Sequence, residues 1–371
     1  MRIGITGQIG FVGYHLYNTI KYCHPDCQLI EFKDEYFDDE SVLKNFLSQC
    51  DVVVHLAALN RHNDEKAIFD VNVGLVKKIV KILNENNFKP HILFSSSIQE
   101  FTNTVYGQSK KEGRLILENW AKENNALFTG LIMPNIFGAF GIPFYNSVIS
   151  TFSHQLCHDK QPKIDIDADL NLLYVNDLVE EIIKLIIQPV NKFEVKIEPN
   201  CNYKVSELFK LLTDFKECYF NNKIIPELNN SFSISLFNTF RTYLDYDFFP
   251  VYPKVNVDER GYLSEVLKTN TKGQVFFSVT KPGIVRGNHF HRRKIERFIV
   301  IKGNAVIRLR KIGTNEIIEY NINADEKPGF VDMPIYHTHN IENIGNTEMT
   351  TLFWTNEFYS PDDPDTYFEK V

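Results

Sequence analysis

Two histidines one residue apart, His289 and His291 in the stretch GNHFHRRKIERFIVIKG (287–303), are followed by Glu296. Residues i and i+2 of a strand project from one face, so both imidazoles can point the same way. Glu296 has the opposite parity to His291 and joins them only if the chain bends. The polar run Arg292-Arg293-Lys294 supplies such a turn. Far downstream, MPIYHTHNIEN (333–343) offers His339, whereas His337 in the same segment is expected to be structural. Three imidazoles and one carboxylate suit Zn²⁺, Fe²⁺, Mn²⁺ or Ni²⁺, and would leave a coordination position open.

A second set of residues lies near the N-terminus. Thr6-Gly7-Gln8-Ile9-Gly10-Phe11-Val12-Gly13 separates a strand-like run from a helical one. Glycines there permit a tight turn and let backbone N–H groups approach a pyrophosphate, with the helix N-terminus adding a favourable dipole. Gly7, Gly10, Phe11, Val12 and Gly13 are therefore expected at a dinucleotide. Tyr106 and Lys110 in YGQSK fall one helical turn apart on one face. An ammonium below a phenol is expected to lower its pKa from the usual value of about 10. Such a tyrosine can give a proton to an oxygen as hydride reaches its carbon. Ser95-Ser96-Ser97 ends a strand just upstream, a natural place for a hydroxyl that polarises a carbonyl.

The elements that would hold these residues differ between the two ends of the chain. Over the first half, apolar runs RIGIT (2–6), QLIEF (28–32), DVVVHLAA (51–58), HILFSSS (91–97) and FTGLIM (128–133) alternate with helical patterns at 11–22, 71–87 and 106–122. This alternation predicts a doubly wound parallel sheet with helices on both faces. From 220 to 250, asparagine clusters and prolines interrupt any period, which reads as a domain end and connector. Beyond it come strands alone, at 274–280, 296–312, 316–322 and 347–356, the pattern of a small antiparallel barrel or sandwich. The expected domains are 1–245 and 246–371.

Bulk properties are those of a globular protein. The chain has 371 residues, 43% hydrophobic and 23% charged, enough for two domains. A net charge of −7 argues against general affinity for nucleic acid or anionic membrane. The six cysteines form no CxxC pair, and apolar segments are too short to span a bilayer, so a cytoplasmic protein with reduced thiols is expected.

The N-terminal motifs resemble the extended short-chain dehydrogenase/reductase family of nucleotide-sugar enzymes over about residues 1–245. Gly7, Gly10 and Gly13 match its cofactor loop, Tyr106 and Lys110 its catalytic pair, Ser97 its carbonyl-polarising serine, and Asn72 in DVNVGLV its cofactor-site helix start. NLLYVNDLV (171–179) resembles a further family stretch. The chain departs from the pattern in the short interval from Ser97 to Tyr106, in Ile132 before PNIFG, and in IEFKDEY, which lacks an unambiguous acidic residue. Lys33 in that last stretch would favour the 2′-phosphate of NADPH, or is a solvated loop lysine.

The C-terminal spacing, Gly283-x5-His289-x-His291-x4-Glu296-x6-Gly303 and then Pro334-x-Tyr336-x2-His339-x3-Asn343, resembles the two cupin motifs, with Tyr336 where that family has glycine. DERGYLSE (258–265) with RGNHFH (286–291) also resembles the dTDP-4-keto-6-deoxyglucose 3,5-epimerases, which use a histidine as base without metal. His289 is thereby open to two roles, ligand or base, and the complete ligand set favours ligand. Arg292-Arg293-Lys294 could meet a nucleotide diphosphate or form a solvated hairpin.

Reductase followed by cupin, over essentially the whole chain, resembles a family of bifunctional capsular-polysaccharide enzymes. That resemblance implies a cupin half that epimerises C3 of a UDP-linked 4-keto-6-deoxy amino sugar and a reductase half that uses NADPH. It also implies zinc and a homodimer. A reductase with a structural or dimerising cupin is the alternative.

Overall fold

A computed structural model describes residues 1–253, 255–258, 261–264, 267, 274–357 and 360–371. The backbone divides into two compact units: Met1–Val148 with Ile166–Val205, and Ile149–Asp165 with Ser206–Val371. DERGYLSE falls partly outside the described residues. Among those that are described, no helix is long and apolar enough to cross a membrane.

Unit one is a three-layer α/β/α sandwich. Its chain runs β1 (Arg2–Thr6), α1 (Phe11–Cys23), β2 (Gln28–Ile30), α2 (Glu40–Gln49), β3 (Val52–His55), α3 (Glu65–Asn86), β4 (His91–Ser97), α4 (Val105–Asn124), β5 (Phe128–Met133) and β6 (Asn135–Phe137). After α5 (Val148–Cys157), which falls almost wholly in unit two, come β7 (Asp169–Tyr174), α6 (Val175–Ile187), β8 (Lys192–Lys196) and β9 (Cys201–Lys204). Six strands form a parallel sheet in the order β2-β1-β3-β4-β5-β8. Alternate strand residues serve opposite cores, as a sheet buried on both faces requires. Val53, Ile92 and Phe94 pack with Phe46, Val76, Leu83 and Trp120 on one face. Val52, Val54 and Leu93 pack with Leu16, Ile20, Leu178 and Ile182 on the other.

The order reverses at β1, which has β2 on one side and β3 on the other. Crossovers leave in opposite directions there, so a crevice opens beyond the carboxyl ends of β1 and β3, the usual ligand position of such sheets.

Unit two contains α7 (Val205–Phe215), a π-helical turn (Lys216–Asn221) and α8 (Ser231–Arg241). The expected boundary at 245/246 thus lies inside this unit, and 220–250 is not merely a connector. α8 escapes sequence reading because SFSISLFNTFR alternates small polar and apolar residues, and its capping box uses Ser233 rather than an acid. It nonetheless buries Leu236, Phe237 and Phe240.

The remainder of unit two is antiparallel. A hairpin of β10 (Val255–Asp258) and β11 (Gly261–Ser264) precedes β12 (Gln274–Thr280), β13 (Val285–Phe290), β14 (Glu296–Lys302), β15 (Asn304–Lys311), β16 (Ile317–Asn323), β17 (Gly329–Met333), β18 (His337–Asn343), β19 (Met349–Thr355) and β20 (Tyr367–Phe368). They form two sheets, β12-β19-β14-β17 and β16-β15-β18-β13-β20. This is the expected all-β cupin-like architecture after a Rossmann-like one.

On the sheet containing β14 and β17, Arg297 binds Asp332 through both oxygens at 2.6 and 2.9 Å, and Tyr219 of the π-turn donates to the same carboxylate. All three residues are buried. Removing one partner strands a charge out of water, which costs about 3–5 kcal/mol. Asp332→Ala is therefore expected to lower the unfolding free energy of unit two by that amount in urea titrations, while Lys163→Ala, at an exposed pair with Asp165, leaves it unchanged.

Candidate functional sites

The glycine loop occupies the crevice at the switch point. Gly7 has φ +67°, a left-handed conformation that favours glycine. A Cβ on Gly13 would stand 2.1 Å from the Gly7 carbonyl oxygen, and α1 begins at Gly10 without a side-chain cap. The first turn of α1 thus presents uncapped N–H groups at a backbone surface cleared of side chains, which fits a pyrophosphate. Phe11 and Val12 open the helix. Lys33 sits after β2, exposed, with its ammonium 3.3 Å from Glu31.

Asn72 is buried and its amide is committed within the protein. Its Oδ1 accepts from Leu59 N–H at 2.7 Å, and its Nδ2 donates to the Leu59 carbonyl and to Ser109 Oγ, both at 3.0 Å. It fixes the loop leaving β3 to the helix that carries Tyr106 and Lys110.

Those two residues lie in the first turns of α4, which Thr104 caps by accepting from Gly107 N–H. The Lys110 ammonium sits 5.9 Å from the Tyr106 ring centroid and 4.8 Å from that of Phe94. It donates to Ser95 Oγ at 3.2 Å, and Ser95 in turn donates to the His55 carbonyl at 3.0 Å. The expected lowering of the phenol does not occur. Burial, with the Tyr145 hydroxyl nearby, pushes Tyr106 up to about 12, and burial pulls Lys110 down to about 7. At this separation desolvation outweighs the ammonium's attraction.

The three serines have separate roles. Ser95 holds Lys110. Ser96 donates to Glu100. Ser97 Oγ accepts from Gln99 N–H at 3.2 Å, which leaves its proton available to a ligand. The short interval from Ser97 to Tyr106 is accommodated by a 3₁₀ turn (Ile98–Phe101) pinned through Glu100, which meets Arg114 at 2.9 and 3.1 Å. Sequence reasoning missed Ser95, Glu100 and Arg114, since polarity alone does not reveal which groups are buried. It also missed Tyr145, whose hydroxyl accepts from Asn60 N–H at 3.2 Å.

In unit two, His289, His291, Glu296 and His339 bring one ligand atom each to within 4.8 Å of one another. Glu296 opens β14 in one sheet, while His289 and His339 are cross-strand partners on β13 and β18 of the other. The chain bends after Phe290, as the parity of Glu296 requires. His337 stays outside the cluster: its Nε2 meets Tyr246 Oη at 2.8 Å.

Hydrogen bonds at the outer ring nitrogens orient the ligands. His291 Nδ1 faces the Asp365 carbonyl at 2.5 Å and His339 Nδ1 the His337 carbonyl at 3.0 Å, so His339 Nε2 is left with its lone pair, while His291 Nε2 meets Glu296 Oε2 at 3.1 Å. His339 Nε2 is buried without a hydrogen bond yet lies 3.2 Å from Glu296 Oε2. Two acceptors facing each other out of water fit a cation between them. Burial and the neighbouring imidazoles hold His289 down to about 3. Burial works against the Glu296 carboxylate, but His291 and His339 keep it far below the usual range. Tyr336, where a glycine was expected, adopts φ +54°, buries its side chain and donates its N–H to the His291 carbonyl at 2.9 Å. The turn keeps a glycine-like backbone with a tyrosine in it. Arg293 pairs with Glu357 and Asp363, and Lys294 donates to the Pro364 carbonyl, so neither is a free hairpin cation.

The buried ammonium makes a measurable prediction. A lysine depressed to about 7 is destabilising wherever the unfolded chain still holds its proton, so this penalty is full below about pH 7 and fades as pH rises toward 10.5. Lys110→Met is expected to stabilise the cofactor-free protein by about 2 kcal/mol at pH 7, and to abolish that part of the rise of stability with pH. Denaturant titrations from pH 6 to 10 measure both.

Known protein families match the chain in two stretches. Residues 3–197 match the NAD dependent epimerase/dehydratase family, and residues 256–367 match the polysaccharide biosynthesis C-terminal domain. The capsular polysaccharide assembling protein CapF from Staphylococcus aureus is 36% identical, with all of each chain covered and a TM-score of 0.62. A UDP-2-acetamido-2,6-beta-L-arabino-hexul-4-ose reductase from Pseudomonas aeruginosa is 29% identical over 99% of this chain and 98% of its own. RMD from Pseudomonas aeruginosa, 19% identical with a TM-score of 0.53 over 58% of this chain and 82% of its own, shares the fold of the first unit. The chain belongs to the NAD-dependent epimerase/dehydratase family and, over its full length, to the family of CapF, in which that domain precedes a polysaccharide-biosynthesis β domain.

Proposed function

We propose that the protein is a bifunctional nucleotide-sugar enzyme. Unit two epimerises C3 of a UDP-2-acetamido-2,6-dideoxy-4-hexulose. Unit one reduces the C4 ketone with NADPH, giving UDP-2-acetamido-2,6-dideoxy-L-talose on the route to UDP-N-acetyl-L-fucosamine. One observation carries the reading: a Tyr106–Lys110 pair and a four-ligand centre occur in one chain that matches a UDP-hexulose reductase from end to end. Lys33 favours NADPH if the 2′-phosphate draws it from Glu31.

A C–H beside a ketone is acidic because its carbanion spreads onto oxygen. A base in the barrel can remove that proton and return it on the other face, inverting the centre. A divalent ion, zinc on the resemblance, would be held by His289, His291, Glu296 and His339 and supplies Lewis acidity to an oxygen there. In unit one the nicotinamide supplies the hydride. The phenol of Tyr106, protonated at neutral pH, donates its proton to the C4 oxygen, with Ser97 hydrogen-bonded to the same oxygen. Lys110, its ammonium 5.9 Å from the phenol ring, would hold the ribose of the bound cofactor. Six cysteines outside any disulfide accord with a cytoplasmic setting. Exposed Val275, Phe277 and Val279 on the edge strand β12 accord with a homodimer.

Tyr106→Phe is expected to lower reduction at least 100-fold while C3–H exchange with deuterium, followed by mass spectrometry, continues at the wild-type rate. Loss of exchange in the same variant would refute the division of labour between the two units.

A further inference from the structure

Asp365 is buried at 2% exposure and has φ +39°, a left-handed backbone that aspartate adopts only where its surroundings impose it. Its carboxylate accepts three consecutive backbone N–H groups, those of Arg292 at 3.2 Å and of Arg293 and Lys294 at 2.9 Å each. These three residues are the bend that joins His291 to Glu296. Its own carbonyl oxygen accepts from His291 Nδ1. One residue, 74 positions away from His291, therefore sets both the tautomer of one ligand and the turn that delivers another.

Its neighbours continue the pattern. In β20, Phe368 pairs with His289 and Tyr367 with Phe290. Glu369 N–H donates to the Asn288 carbonyl at 3.0 Å, and Thr338 Oγ, next to His339, donates to the Glu369 carbonyl. Segment 360–371 thus touches the backbone of His289, the outer nitrogen of His291, the residue before His339 and the bend that leads to Glu296.

We propose that this segment is the clasp that sets how tightly the metal is held, with Asp365 as its positioning residue. A carboxylate in a nest of three N–H groups makes charge-assisted hydrogen bonds, which hold the bend in one shape before any ion arrives. Ligands already in place bind an ion more tightly than ligands that must first be ordered. The proposal rests on the metal-centre reading above.

Metal-free full-length protein is titrated with Co²⁺, read by its visible absorption, and with Zn²⁺ against a chromogenic chelator. The melting temperature of each metal-free variant is measured in parallel. Asp365→Ala is expected to weaken both ions about 10- to 100-fold and to alter the Co²⁺ spectrum. Asp365→Asn, which keeps one acceptor oxygen, is expected to fall between. Asp363→Ala, which removes only a surface partner of Arg293, stays within about threefold of wild type. Wild-type affinity and spectrum in Asp365→Ala overturn the proposal, even if its metal-free form melts earlier. If that variant does not fold, Asp365→Asn decides: weakened binding supports the clasp, and unchanged binding overturns it. Wild-type protein that takes up neither ion overturns the metal centre along with it, whereas tight wild-type binding with unaffected variants overturns the clasp alone.

Discussion

Charge removed from water governs both units. In the reductase-like unit a single hydroxyl, Ser95 Oγ, meets the ammonium of Lys110, and the deficit appears as a lysine near neutrality beside a fully protonated phenol. In the β unit the Glu296 carboxylate is shared by two imidazoles whose outer nitrogens are already spoken for. Each arrangement keeps an ionisable group out of water with few partners. Stability is forgone at the places where binding is wanted.

Groups that carry no function are treated differently. Arg297 with Asp332, and Arg114 with Glu100, are buried too, but they are matched at both oxygens. Such pairs fix position. Glu100 holds the 3₁₀ turn between the serine strand and the tyrosine helix, so a connection much shorter than the family pattern still ends at a capped helix.

Much of this was legible in the sequence. Continuous apolar runs marked the strands of the parallel sheet because both of its faces are buried, and the glycine trio could be placed because it follows the first strand. The His/Glu cluster could be named because residues i and i+2 of a strand share a face, which put His289 with His291 and demanded a bend before Glu296; that His337 turns instead to Tyr246 is tertiary. What stayed hidden was set by tertiary context. Helix Ser231–Arg241 has an alternating, strand-like sequence and a serine-built cap. The direction of the Tyr106 shift depends on desolvation, which spacing does not encode. Arg292-Arg293-Lys294 looked like a loose basic turn because its acidic partners lie more than sixty residues downstream.

That separation has a consequence for how the molecule is made. Ribosomes deliver residues in order, and the three imidazoles and the carboxylate emerge before the strand that braces them. The bend at 292–294 therefore reaches its hydrogen-bonded form only once Asp365 has been made and has docked.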